Sequence, residues 1–474
     1  MEERLDRQEN KMGVMPINKL LITMSLPIII SMLVQACYNI VDSIFVAQIN
    51  EHALTAVSLA FPAQNLLIAF GGGTAVGINA LLARSLGEKN QDRANSIANH
   101  AIVIWIIMSL VFAIIGLTCG HMFFKAQTNN ANILNLGVQY FTIVVGLSFG
   151  LFGQFTFERL LQATGRTVQT MITQGTGAII NIILDPILIF GMFGLPKMGV
   201  SGAALATVIG QIIACMMGIY INRHYNTDIH ISLKNFKPQW NVLKRIYEIA
   251  IPSIIMQSIG SIMTYGMNII LTGFSSTAAA VFGVYFKLQS FFFMPVFGLN
   301  NGLIPIVSYN YGARKKERML GVIKLAMIYA TGMMIIGIIV FETIPSVLFG
   351  FFNASEHMLS IGVPALRIIA THFIFAGFAI VCSAVFQAVS KGTYSLIISL
   401  VRQLVVLLPI AYLLSLTGQV NYVWFAFPIA ELFSVVISFL FFRKVVKSLN
   451  LAHMYILTCI LSTLATNPNC APKT

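Results

Sequence analysis

The sequence predicts an all-α membrane protein of about twelve transmembrane helices, arranged as two six-helix lobes related by a parallel internal repeat. Three observations lead there. The 474 residues are 57% hydrophobic and 9% charged, whereas a soluble chain carries roughly a quarter charged residues. Apolar runs of about 20 residues, enough to cross a bilayer core, recur from one end to the other. Finally, the second half falls on the first at a constant shift. Pro27 lands on Pro252, Gln64 on Gln289, Gly73 on Gly298, Gly77 on Gly302, Gly87 on Gly312 and Arg93 on Arg318, and Gln162-Ala163 lands on Gln387-Ala388. Matches at Gly, Pro, Gln and Arg preserve backbone shape and loop chemistry rather than mere greasiness.

In order, the spans lie near 22–46, 56–82, 97–119, 136–161, 170–193 and 200–222 in the first half. The second half supplies 247–272, 280–306, 322–350, 362–388, 395–416 and 423–443. The charged N-terminus has no short apolar core followed by a small-residue cleavage site, so the first span is expected to be a mature helix. The polar stretch 223–245 separates an N-terminal lobe (1–222) from a C-terminal lobe (246–447), and 448–474 reads as a tail. Six spans per half is an even number. Both halves therefore enter the membrane from the same side, which makes the repeat parallel and suggests rocking of one lobe against the other around a shared path.

The formal net charge of +13 is topological and excludes a nucleic-acid reading. Basic residues fill alternate loops: Arg4 to Lys19, Arg84 to Arg93, Arg166, Arg223 to Arg245, Arg314 to Lys324, Lys391, and Arg443 to Lys447. The positive-inside rule then places both termini and the 223–245 linker in the cytoplasm, with the chain in the inner (plasma) membrane. The six cysteines have no metal-ligand or redox spacing and read as packing residues. Gly71-Gly72-Gly73 lacks the GK[ST] ending of a phosphate loop and reads as close helix packing. Gly87 and Gly312 are expected to cap helix ends in two basic loops.

Ionisable groups within apolar spans are costly and mark function. In the first half they are Asp42, Glu158 and Asp185; their repeat mates are Met267, Ser383 and Ile410. Only one lobe carries these acids. Gln35, Asn39 and Asp42 share a face of the first helix, and Asn181 and Asp185 share a face of the fifth. Pro186 lacks an N–H, so the carbonyl of Ile182 loses its helical partner. Carboxylates, an amide oxygen and a spare carbonyl suit an alkali cation, and two close carboxylates equally suit a shared proton. Pro27 offers the first helix a place to bend. Glu158, beside Arg159, reads equally as a functional group or as half of an interfacial ion pair. In the second half, Arg402 and Glu431 are expected to pair, Arg367 to snorkel, and Lys287 either to line a cavity or to reach headgroups. Met256, Met263, Tyr265, Tyr285, Phe292, Phe293 and Met294 offer adaptable apolar walls for organic cations.

Several segments resemble the multidrug and toxic-compound extrusion (MATE) transporters. They are KLLITMSLPIIISMLVQACYNIVDSIFVA, ARSLGEKNQDRA, NIILDPILIFG (181–191), MGVSGAALAT (198–207), MPVFGLNNGLIPIVSYNYGARKKER (294–318) and AVFQAVSKG (384–392). The resemblance covers about residues 15 to 447 and implies twelve helices and export of organic, often cationic, compounds against inward Na⁺ or H⁺. It also implies a cation site at Asp42, Asn181 and Asp185, with Thr207 a further candidate, and no other cofactor or metal. Other members carry second-lobe acids on the seventh and tenth helices; near Gly260 and Gly377 this chain has none. A monomer in the lipid bilayer with small-molecule substrates is expected. A lipid-linked oligosaccharide flippase of the wider superfamily is the alternative, for which Lys287, Arg367 and Arg402 are few. An intramembrane enzyme is a reading of another class, disfavoured because the eight histidines make no HExxH or paired spacing.

Overall fold

In the computed structural model, residues 9–448 are described, with 235 and 353 excepted. The tail and Cys459 and Cys470 therefore lie outside the described residues. The first lobe consists of α2 (Ile17–Ala47), α3 (Glu51–Gly87), α4 (Gln91–Thr118), a span broken into α6 (Ala131–Gly146) and α7 (Phe149–Ala163), α8 (Thr167–Phe190) and α9 (Val200–His224). Short helices α1 (Lys11–Val14) and α5 (Gly120–Lys125) flank α2 and α4. The second lobe repeats the plan with α10 (Trp240–Thr272), α11 (Ser276–Gly312), α12 (Lys316–Thr343) and the short α13 (Pro345–Gly350). It continues with α14 (Glu356–Ala370) and α15 (Phe373–Ala388), then α16 (Gly392–Leu400) and α17 (Leu408–Ser415), joined by a π-helical stretch at Val401–Leu407. It closes with α18 (Val420–Val423) and α19 (Ala426–Ser448).

Among the described residues, eleven helices are long and apolar enough to span a membrane, and α14 with α15, bent by 51°, make a twelfth. The expected count holds, with spans extended at most ends. Large apolar side chains such as Leu110, Ile114, Val405 and Val436 face outward, as lipid contact requires. Trp240, Tyr220 and Tyr225 are exposed where helices leave the apolar zone, the position aromatic belts occupy.

The basic loops collect at one end of the bundle, here the basic end. The two lobes meet in the half of the molecule nearer that end, and they do so through glycines related by the repeat. A Cβ on Gly73 of α3 would lie 2.7 Å from the Ile254 nitrogen of α10; one on Gly298 of α11 would lie 3.0 Å from the Ile29 nitrogen of α2. Ile29 and Ile254 are themselves repeat mates. Gly77 meets the Ile246 carbonyl at 2.5 Å, and Gly302 meets Ser25. Gly87 presses on the Tyr309 carbonyl, and Gly312 on that of Arg84, again mates. The interface is thus pseudo-two-fold and backbone to backbone. The expected capping role for Gly87 and Gly312 is corrected: the left-handed residues that turn the chain are Lys89 (φ 54°) and Arg314 (φ 58°), and the glycines serve close approach. Gly71, against Phe152 and Phe155, packs as expected.

The N-terminal segment straps the seam. Asn10 caps α1 and donates to the Thr164 carbonyl and to Asp228 of the first lobe. The carbonyl of Met12 accepts from Asn310 and Arg318, and that of Gly13 from Lys315, all in the second lobe. Burial, then Arg166, draws the Lys11 ammonium below the ordinary lysine range, with Asp228 opposing. The polar stretch before α10 is held along α4. His230 and Ser232 donate backbone N–H groups to Asn95 and Asn99, and Gln239 donates its own to His100 Nε2. His100 Nδ1, 2.7 Å from the Ser96 carbonyl, must then carry the proton.

Adding a methyl at the seam overpacks it at a cost of about 1–3 kcal/mol. Purified Gly87→Ala is therefore expected to melt at a lower temperature than the native protein. Gly332→Ala, whose Cβ meets nothing within 4 Å, should melt at or above it. Equal melting of the two variants would contradict a tight seam.

Candidate functional site

The first lobe holds a small open pocket of about 50 Å³ bounded by α2, α7, α8 and α9, with Gln35, Tyr38, Glu158, Gln174, Asn181 and Thr207 on its wall. The polar wall follows from helical spacing. Gln174 and Asn181 are two turns apart on α8, with Gly177 and Ala178 between them leaving room. Gln154 and Glu158 are one turn apart on α7.

Prolines in both carrying helices leave backbone carbonyls without partners. Pro27 removes the N–H that would bond to Thr23; the hydroxyl of Thr167, fully buried at the start of α8, supplies it instead at 3.1 Å. This bond ties α2 to α8 below the cavity. The helix runs through Pro27 unbroken, with the freed carbonyl served from α8.

Asn181 donates to Thr207 Oγ1 at 3.2 Å, which leaves its carbonyl oxygen buried and without a partner. One turn on, Asp185 is fully buried, and neither carboxylate oxygen has a hydrogen-bond partner. Asp42 on α2 presents a third unpartnered carboxylate oxygen, Oδ1. Tyr38 and Asp42 are one turn apart on α2, and Asp185 stands on α8, the helix packed against it. Gln64 donates to the Tyr140 hydroxyl at 2.7 Å. Buried oxygens without donors are rare, and buried charges without counter-charges rarer. Four such oxygens, on Asp42, Asn181 and Asp185, form a donor set of the kind a hard cation accepts, and a proton on either carboxylate satisfies it differently.

Gln35 accepts from Gln174 at 3.0 Å and so belongs to the cavity wall. The side chain of Asn39 lies outside the described residues. Glu158 is buried and held by Gln154 at 2.9 Å, with the Thr173 hydroxyl at 3.5 Å. It is a cavity residue and makes no ion pair with Arg159 among the described residues.

The apolar walls expected on α10 and α11 do not border this cavity. Tyr285 is 1% exposed and packs on Phe282, Phe286 and Phe427; Met263 is buried in the same second-lobe core. Phe293 is buried against Phe373, and Phe292 packs edge-on against Phe341. Met256 faces Ser383 and Gln387 within the lobe. Tyr265 is 70% exposed, and Met294 is partly buried. Lys287 is exposed, with its ammonium 5.9 Å from the Phe352 ring centre. Arg402 reaches Glu431 at 3.4 Å as expected, and Arg367 pairs with Glu342 at 3.8 Å rather than standing alone. Sequence reading missed Gln154, Gln174, Tyr38 and the Tyr140–Gln64 pair. Their signal was present: polar side chains inside apolar spans, with Tyr38, Gln154 and Gln174 a whole number of turns from an acid on the same helix.

With this geometry in place, comparison with known proteins places the chain. The MatE family model matches residues 27–187 and again 252–413, two stretches whose starts differ by the repeat shift. The chain belongs to the MatE family. Its relatives include the multidrug export protein MepA of Staphylococcus haemolyticus, 26% identical over 408 residues, spanning 86% of this chain and 89% of that protein. MepA of Staphylococcus aureus is 25% identical over 411 residues, 86% and 90% of the two chains. Among solved structures, an outward-facing multidrug resistance MATE family transporter of the MOP superfamily superposes with a TM-score of 0.88 at 24% identity, over 94% of this chain and 99% of that one. This MATE family protein is a multi-pass membrane transporter.

The Thr167–Thr23 bond predicts a specific sensitivity. Thr167→Val leaves a buried carbonyl without a donor, a loss of about 1–3 kcal/mol, read as a lower melting temperature. Thr167→Ser should retain most of the native value.

Proposed function

We propose that this protein is a cation-coupled efflux antiporter that exports organic, often cationic, compounds across the plasma membrane by rocking its two lobes. The observation that carries the coupling is the set of buried, unpartnered oxygens on Asp42, Asn181 and Asp185, with Thr207 orienting the Asn181 amide. Either Na⁺ among these oxygens or a proton on a carboxylate relieves their cost. A ligand shifts a conformational balance only if it binds the two states differently. Here the relief is greatest when the site is dry, so the occupant biases the transporter between states.

Sidedness follows from the basic loops. If the basic end is cytoplasmic, both termini and the stretch before α10 lie inside, and the glycine seam closes the molecule toward the cytoplasm. The described lobe-to-lobe hydrogen bonds, including Ser25 to Leu299 and Asn310 to Met12, all lie in that half. The MepA relatives, multidrug export proteins by name, support export of varied compounds. The basic residues that a pyrophosphate-binding flippase would gather are instead dispersed: Lys287 over Phe352, Arg367 on Glu342, and Arg402 on Glu431.

The test is efflux of a fluorescent organic cation from proteoliposomes, with a Na⁺ gradient and a pH gradient imposed separately. One of the two gradients should drive the native protein and name the ion. Asp42→Asn and Asp185→Asn should each lose nearly all gradient-driven transport while still folding. Undiminished transport in both variants would remove the coupling role.

A further inference from the structure

Resting on the rocking motion proposed above, a second element of the first lobe bears on when the closed end opens. Arg159 follows Glu158 on α7 and so points about 100° away from it around the helix. Its guanidinium donates to Gln162 Oε1 at 2.7 Å and, across the lobe boundary, to Asn301 Oδ1 on α11 at 3.1 Å. The Asn301 amide nitrogen faces the Met32 sulfur of α2 at 3.9 Å, so this one side chain is held between two first-lobe helices. Among the described residues no carboxylate comes within 4.0 Å of Arg159. The repeat mates of Arg159 and Asn301 are Ala384 and Val76. Unlike the matched glycines of the seam, this contact exists on one side only, the side of the cavity acids.

We propose that Arg159 and Asn301 form an interlobe clamp whose hold depends on the charge of Glu158, so that neutralising Glu158 loosens the closed end. A guanidinium in a low-dielectric interior needs compensation. Here it has two amide oxygens and the nearby Glu158 carboxylate, whose charge acts on it. The other groups facing Glu158 are Gln154 of its own helix, Thr170 and Thr173 of α8, and Cys215 of α9. On the cavity side α2 contributes Gln35 and Tyr38. Arg159 is the one full positive charge among these. When a proton or cation neutralises Glu158, the amide oxygens alone remain, and parting of the lobes, which lets water reach the guanidinium, becomes less unfavourable. Arg159 is a positioning residue: it links occupancy of the cavity to the seam without contacting the transported compound.

The experiment is a distance measurement between spin labels at Asp92 and Glu317, exposed repeat mates at the basic end of the two lobes, in full-length protein in nanodiscs with its six cysteines replaced. The native pair should show a short, closed population and a longer, open one. Asn301→Ala should raise the open-to-closed ratio about tenfold, the worth of a buried hydrogen bond to a charged group. Asn301→Asp, which supplies a counter-charge, should lower it. Glu158→Gln should raise it, and that rise should vanish when Arg159→Gln is already present, since coupled residues are not additive. Arg159→Lys should restore most of the closed population lost in Arg159→Gln. Two native populations whose ratio none of the variants changes would overturn the clamp and leave rocking intact. A single native distance under every ionic condition would overturn both.

Discussion

Two membrane lobes can meet backbone to backbone only where neither carries a Cβ. In this transporter that condition is satisfied at matching positions of an internal repeat. Gly73 and Gly298, Gly77 and Gly302, and Gly87 and Gly312 each admit the partner lobe's main chain. A lipid-embedded interface has no hydrophobic driving force of its own, because lipid tails are as apolar as leucine. Close packing and interhelical hydrogen bonds must supply the attraction instead. Glycine seams supply packing without long interdigitating side chains, which suits an interface that has to part and re-form.

Onto this symmetric frame the chain has placed an asymmetric load. The carboxylates, the cavity and the guanidinium that crosses the boundary all belong to the first lobe. At the corresponding second-lobe positions stand Met267, Ser383, Ile410 and Ala384. In the second lobe Arg402 pairs with Glu431 and Arg367 with Glu342, and the aromatic residues pack into a continuous core around Phe282, Tyr285, Phe373 and Phe427. In the proposed mechanism the first lobe holds the coupling ion, and the second is the counterpart against which it moves.

Much of this was legible in the sequence, and for definable reasons. Span number follows from apolar length, and the seam from glycines that recur at a fixed shift. The pairing of Asn181 with Asp185 follows from polar residues one turn apart in a helix where a polar group is expensive, whereas Thr207 was implied by the family resemblance alone. What escaped was which face of an apolar helix looks inward. Met263, Tyr285 and Phe292 stand on helices that are apolar all round, and such helices carry no polarity contrast to tell core from cavity wall. For that reason the sequence could not tell that Met263, Tyr285 and Phe293 are buried in the second-lobe core. The role of Gly87 escaped for a related reason: in sequence it sits where a helix cap belongs, and only the partner backbone reveals the close approach.

The central claim is that unpartnered first-lobe oxygens hold the coupling ion and give it up to substrate. The most direct measurement is ion release in detergent without any gradient: an organic-cation substrate is added to native protein while protons are followed with a pH indicator and Na⁺ by radiotracer. The account expects substrate addition to release one of the two ions from the native protein, and expects no such release from Asp185→Asn. Equal release from both proteins, or substrate binding to native protein with release of neither ion, would contradict it.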